Sequence, residues 1–277
     1  VLKAVCPWCL ADHALGLLIG GLIVGCAVFA GRKSSSPTAH APEESLEVKA
    51  PGEPHDEVAN EAERTTVHRP DTGPGPDRLI AVLDGTFQLA PHELPALGSP
   101  DAPKLLVVLF DYCCPHCRAT HEYLLGGMPR YGNQLGVILL PTPLNRECNP
   151  YWEHDEARFQ HACELARLAL AVFRADRNAF ARYDEWLFEP ETPRDPVEAR
   201  RRAEELVTAA ALETALADPW IAERIAADVK AGHDSKAERI PVILSPDIDT
   251  IVGRPEDQES LFELLEVELQ IRPEQNQ

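Results

Sequence analysis

Positive charge is the first thing this sequence is short of. It has 26 Lys and Arg against 45 Asp and Glu, a net charge of -19, and the few cations form no cluster. A surface that tracks phosphates needs such a cluster, so nucleic acid is excluded as a partner. Methionine is nearly missing, Met128 being the only one in 277 residues. A chain that opens "VLKAVCPWC" therefore has no start residue of its own, and we expect a fragment or processed product whose upstream part is missing. Eight cysteines are too few for a disulfide-rich scaffold, and no internal repeat is found. Apolar content is ordinary, and the length suffices for one full domain with a membrane-associated piece.

What is present is cysteine in pairs: "CPWC" at residues 6 to 9 and "CPHC" at residues 114 to 117. C-x-x-C spacing points to redox or metal chemistry. Directly after the first pair, "ALGLLIGGLIVGCAVFAG" from Ala14 to Gly31 carries no charge for 18 residues. That is about the minimum for a helix crossing a bilayer core of roughly 30 Å. Gly16 with Gly20, and Gly21 with Gly25, stand at G-x-x-x-G spacing, which lets neighbouring helices approach closely in lipid. The expectation is a transmembrane helix within residues 1–31 that packs against upstream helices missing from this chain. The alternative is a secretory leader, with "IVGC" ending at Cys26 like a lipoprotein cleavage box.

Residues 32–77 contain seven prolines, no aromatic residue and few branched aliphatics, so they bury too little to fold and read as a disordered linker. From residue 78 onward the periods are those of an α/β domain. "RLIAVLDGTFQLA" predicts a hairpin turning at Asp84-Gly85, and "KLLVVLF" and "LGVILL" predict fully buried strands. "CPHCRATHEYLLGG" predicts a helix that stops at its glycines. Three or four helices are expected between Asp155 and Gly232, interrupted near "EPETPRDP" and "DP". Strands "PVILS" and "TIVG" follow, then an amphipathic helix with Leu261, Leu264, Leu265 and Leu269 on one face.

A cysteine at the start of a helix that follows a buried strand meets unpaired backbone N–H groups and the positive end of the helix dipole. This favours the thiolate of Cys114, the species that attacks or leaves in thiol–disulfide exchange. Cys117 lies one turn later on the same face, and Pro115 costs nothing where its missing N–H would be unpaired. His116 can add positive charge or a hydrogen bond, stabilising the reduced form and making the disulfide more oxidising. A zinc site would need two more ligands at a spacing the other Cys and His residues lack, so no metal is assigned.

"LGSPDAPKLLVVLFDYCCPHCRATHEYL", the helical insertion and "RIPVILSPDIDTIVG" resemble a DsbA-like member of the thioredoxin superfamily over about residues 78 to 272. The resemblance implies a thioredoxin-like α/β fold with a helical insertion, Cys114 as exposed nucleophile and Cys117 as buried resolving cysteine. It also implies that Pro241 is the cis-proline that faces the active site and binds the substrate backbone. Cys113 departs from the family pattern, as a third thiol competing in exchange or as a small buried side chain at the strand end. Cys148 and Cys163 form a structural disulfide, remain unconnected thiols, or join His154 and His161 around a metal.

"VCPWCLADHALGLL" resembles the last catalytic helix of the vitamin K epoxide reductase family, which in bacteria is often fused to a thioredoxin-like partner. The resemblance implies that Cys6 and Cys9 are a quinone-proximal redox pair; the bland alternative is an incidental motif. His13 is read as an interfacial side chain. If Cys6 and Cys9 face the oxidising side, a single crossing would part the two redox centres, and Arg32-Lys33 agrees weakly with a cytoplasmic end. Redox logic favours the opposite placement, an extracytoplasmic CPHC domain on the inner membrane, because cytosolic thiols are held reduced. The sequence thus leads to a membrane-tethered thiol:disulfide oxidoreductase acting on protein thiols and disulfides and linked to quinone. A disulfide reductase or isomerase, a copper or zinc carrier using Cys113, Cys114 and Cys117, and a binding module with inert thiols are the rival readings.

Overall fold

In the computed structural model, residues 71–154 and 156–274 are described; Cys6, Cys9, the segment 14–31 and most of the linker lie outside them. Among the described residues no helix is long and apolar enough to cross a membrane.

A five-stranded sheet is the centre of the domain. Its order is β3 (Ala96–Leu97), β5 (Leu135–Pro141), β4 (Lys104–Phe110), β6 (Val242–Leu244) and β7 (Ile251–Val252). Only β4 and β5 run parallel, in the register Val107 to Ile138. β6 returns antiparallel to β4, pairing Val108 with Ile243. The strands β1 (Ile80–Val82) and β2 (Phe87–Leu89) form the expected hairpin, with Asp84 and Gly85 both at positive φ in its turn.

"KLLVVLF" reads as an unbroken apolar run because both faces of β4 are covered. Leu106, Val108 and Phe110 point into one core with helix α1 (Pro115–Tyr131) and the helical insertion, while Leu105, Val107 and Leu109 meet the β1–β2 hairpin and Ala231. Each such side chain contributes about 1.5–3 kcal/mol of burial free energy. This strand is therefore a stiff base for whatever follows Phe110.

Two expectations about helices need correction. Helix α1 does not stop at Gly126-Gly127 but runs on to Tyr131. The glycines are there for packing: a Cβ on Gly127 would lie 2.7 Å from the Phe262 ring of the closing helix α7 (Gln258–Glu268). Among the described residues the insertion between β5 and β6 holds five α-helices, not three or four helices: α2 (Ala162–Ala175), α3 (Arg177–Phe188), α4 (Pro196–Val207), α5 (Ala209–Leu216) and α6 (Pro219–Asp234). The breaks at Asp195-Pro196 and Asp218-Pro219 are readable, since each Asp caps the N–H of Val197 or Trp220. The other two breaks are set by caps alone, Asp176 accepting from the N–H of Asn178 and Thr208 from that of Ala211. A linker reaching Asp77 also needs revision, because its last part is bound to the domain. Gly75 donates its N–H to Asp101 at 2.7 Å, and buried Arg78 pairs with Asp71 at 2.9 Å. On α7, Leu261, Leu265 and Leu269 are buried as expected and Leu264 is partly so.

Candidate active site

The end of β4 delivers "DYCC" to the head of α1. Cys114 is the N-cap residue of that helix, with extended backbone, and Pro115 takes the first helical position. The N–H groups of His116 and Cys117 then point back at the Cys114 sulfur. The hydrogen bond from the Cys117 thiol is the main influence pulling the Cys114 thiol below its ordinary range, followed by those two backbone N–H groups, against the opposing effect of burial. Cys117 behaves oppositely: burial first, then the neighbouring Cys114 sulfur, push its thiol well above the ordinary range. One thiol of the pair is poised to be a thiolate and the other to hold a proton. Both are free thiols.

The expected exposure of Cys114 is not seen, since the residue is only 5% exposed. It opens instead into a groove of about 1120 Å³ walled by Thr142, Leu144, Trp152, Phe159 and Ile240, with His116 also at its lining. Pockets for drug-sized molecules run to about 1,000 Å³, so this one has room for a stretch of polypeptide. The Ile240–Pro241 peptide bond is cis, and Ile240 and Val242, on either side of Pro241, line the same groove as Cys114. Four of the expected site residues, Cys114, His116, Cys117 and Pro241, are thus brought to one place. Cys6 and Cys9 lie outside the described residues.

Cys113 is buried at the strand end, and burial followed by the charge of Asp111 pushes its thiol far up, which suits the reading of a small buried side chain. Cys148 and Cys163 are joined by a disulfide with Cα atoms 6.0 Å apart. A metal centre with His154 and His161 is therefore set aside, and among the described residues no group of His, Cys, Asp and Glu is placed to hold a metal.

Two polar features of the site were not anticipated. Asp111, buried three residues before Cys114, accepts from the N–H of Cys113 at 2.6 Å and from the N–H of Leu144 at 2.6 Å. Burial raises its carboxyl to about 6 despite those two donors. Its negative charge in turn raises all three neighbouring thiols. The second feature is Asp184 on α3, which has no exposed surface. It accepts from the Tyr112 hydroxyl at 2.7 Å and pairs with His121 Nε2 at 2.6 Å. The insertion is thereby bonded both to the residue two before Cys114 and to helix α1. An acid closing an all-apolar strand is a signal that could have flagged Asp111, whereas Asp184 lies 72 residues from Tyr112 and leaves no such local sign.

The thioredoxin family model (Thioredoxin_4) matches residues 92–266, more than half of the chain, and the chain belongs to that family. A search of curated proteins finds none similar to it. Among solved structures, a thioredoxin-like oxidoreductase from Silicibacter pomeroyi DSS-3 is 18% identical, with a TM-score of 0.52 over 64% of this chain and 92% of that one. The thiol-disulfide exchange protein alpha-DsbA2 from Wolbachia pipientis is 15% identical, with a TM-score of 0.51 over 63% and 87%. Proteus mirabilis ScsC in a transitional conformation is 19% identical, with a TM-score of 0.51 over 64% and 73%. At these identities the likeness is one of fold.

Proposed function

We propose that this chain is a thiol:disulfide oxidoreductase that donates its Cys114–Cys117 disulfide to protein thiols. The observation that carries this is the opposed tuning of the two thiols at the head of α1, Cys114 lowered and Cys117 raised. A substrate thiolate attacks the Cys114 sulfur, the Cys114–Cys117 bond breaks, and Cys117 leaves and takes up a proton. A second substrate thiolate then attacks the substrate sulfur of the mixed disulfide and releases Cys114. Its low pKa makes Cys114 a good leaving group. The substrate is left with a disulfide, and its two electrons reside in the thiols of Cys114 and Cys117. Asp111, a buried carboxyl that accepts from the N–H of Cys113 and acts electrostatically on Cys117, is the group this reading makes the source of the proton for Cys117. The name of the Wolbachia relative, a thiol-disulfide exchange protein, supports the same chemistry.

The wider reading is that Cys6 and Cys9 reoxidise this pair from a membrane helix, with the CPHC domain outside the cytoplasm. It is supported by the CPWC motif before an uncharged segment of 18 residues and by the resemblance to the vitamin K epoxide reductase family. A quinone would supply the electron acceptor there. The test of the central reading is the redox equilibrium of the full chain against glutathione, with Cys114→Ser as control. A potential close to about -120 mV is expected; a value near about -270 mV would reverse the direction, and no Cys114-dependent equilibrium would overturn the reading.

A further inference from the structure

Resting on the oxidoreductase reading above, we infer that the Cys148–Cys163 disulfide sets the far wall of the substrate groove and thereby selects substrates with an apolar side chain beside the reacting cysteine. The bond closes a ring over a separation of 15 residues. Asn149, Tyr151, Trp152, Glu156, Arg158 and Phe159 all lie inside that ring, and all line the groove onto which Cys114 opens. Among the described residues of the ring ahead of α2, regular structure is limited to a short 3-10 turn at Ala157–Phe159.

Its position depends on a few ties. Cys163 is buried in the first turn of α2 and fixes one end. Asn145 donates to the Phe159 carbonyl at 2.9 Å, and Asn149 to the Pro143 carbonyl at 2.8 Å. Across the groove stands α6, and there the Tyr151 ring stacks on His233 with centroids 4.1 Å apart and planes 10° from parallel. This stack joins the two walls. Without the disulfide, the ring can move away from α6 as a flexible loop, and the aromatic faces of Trp152 and Phe159 lose their fixed distance from Cys114. Cys114 and Phe159 belong to one buried apolar cluster, and Leu144 and Ile240, which also line the groove, pack against that cluster. An apolar side chain next to the substrate cysteine would be desolvated there, whereas a polar one would gain nothing.

The experiment uses the full chain with glutathione disulfide as oxidant and three probes: dithiothreitol, a two-cysteine peptide with Phe beside the reacting cysteine, and the same peptide with Ser. The unaltered chain is expected to show a KM for the Phe peptide about tenfold below that for the Ser peptide, the size of one well-buried contact. In Cys148→Ser/Cys163→Ser the two KM values should come within about twofold of each other. The potential of Cys114–Cys117 and the rate with dithiothreitol, which is too small to need the wall, should stay unchanged. Persistence of the tenfold preference, or a parallel fall in the dithiothreitol rate, would overturn the inference. Tyr151→Ala keeps both cysteines and guards against a folding defect: a rise of about fivefold in KM for the Phe peptide is expected, and no rise would also overturn it. Failure of the unaltered chain to oxidise dithiothreitol through Cys114 would sink the oxidoreductase reading and the groove assignment together.

Discussion

Cys114 and Cys117 stand three positions apart at the head of a helix, whereas Cys148 and Cys163 are 15 positions apart, one in a loop and one in the first turn of α2. The first pair has local reasons to open: N–H groups and a neighbouring thiol hold negative charge on Cys114. The second is the disulfide found among the described residues, and its hold on the fold comes from the loop it closes. One pair is tuned by what surrounds the sulfur and the other by what chain it constrains. The same covalent bond therefore serves as a reagent in one place and as a tether in the other.

The sharpest way to break this comparison is to remove each bond in turn and measure stability. Closing a loop of about 15 residues is worth about 3 kcal/mol on the chain-entropy account. Cys148→Ser/Cys163→Ser should lose about that much in urea denaturation, while reduction of Cys114–Cys117 alone should leave stability equal or raise it. If reducing the first pair destabilises as much as removing the second, the distinction fails.

A comparable effect is expected from Asp111, which sharpens the account of the first pair. Its carboxyl is raised from 3.8 to about 6, so its contribution to folded stability is present below its ordinary value and is lost as pH rises through about 6. The loss is on the order of 3 kcal/mol. In Asp111→Asn that decline between acidic and neutral pH should disappear. Because the ionised carboxylate also repels charge on the neighbouring sulfurs, the variant should show more Cys114 thiolate at neutral pH in thiolate absorbance. An unchanged thiol titration would remove Asp111 from the tuning.

The smallest effect tests the insertion that carries the second pair's helix. Asp195 accepts from the N–H of Val197 at 2.9 Å at the head of α4, so Asp195→Ala should cost about 1 kcal/mol in the denaturation midpoint without altering exchange kinetics. A change in the Cys114 rate would show that α4 is coupled to the site.

How far the sequence could be read follows from the range of each signal. "KLLVVLF" and "CPHC" are local statements, one about burial on two faces and one about a helix start, and both led to the right geometry. Gly126-Gly127 misled because a glycine pair marks a helix end and a close helix contact with the same letters; Phe262 decides between them. The extra helix boundaries at Asp176 and Thr208 lack a proline, and a cap without a breaker is hard to see in a run rich in Ala and Leu. The pairing of Cys148 with Cys163 stayed open because the loop between them has no periodicity from which to place its ends. Burial of Cys114 has a similar reason: the groove into which it opens is walled in part by residues of no regular pattern.

The bond between Tyr112 and Asp184 has a practical bearing for anyone wishing to cut the protein down. A minimal redox domain made by excising α2 to α6 would strand a phenol hydroxyl and an imidazole in the core, directly beside the reactive turn. The five helices are therefore not cargo carried by a thioredoxin fold. They complete its interior, and any graft of this CPHC segment onto another scaffold must bring an acceptor for Tyr112 with it.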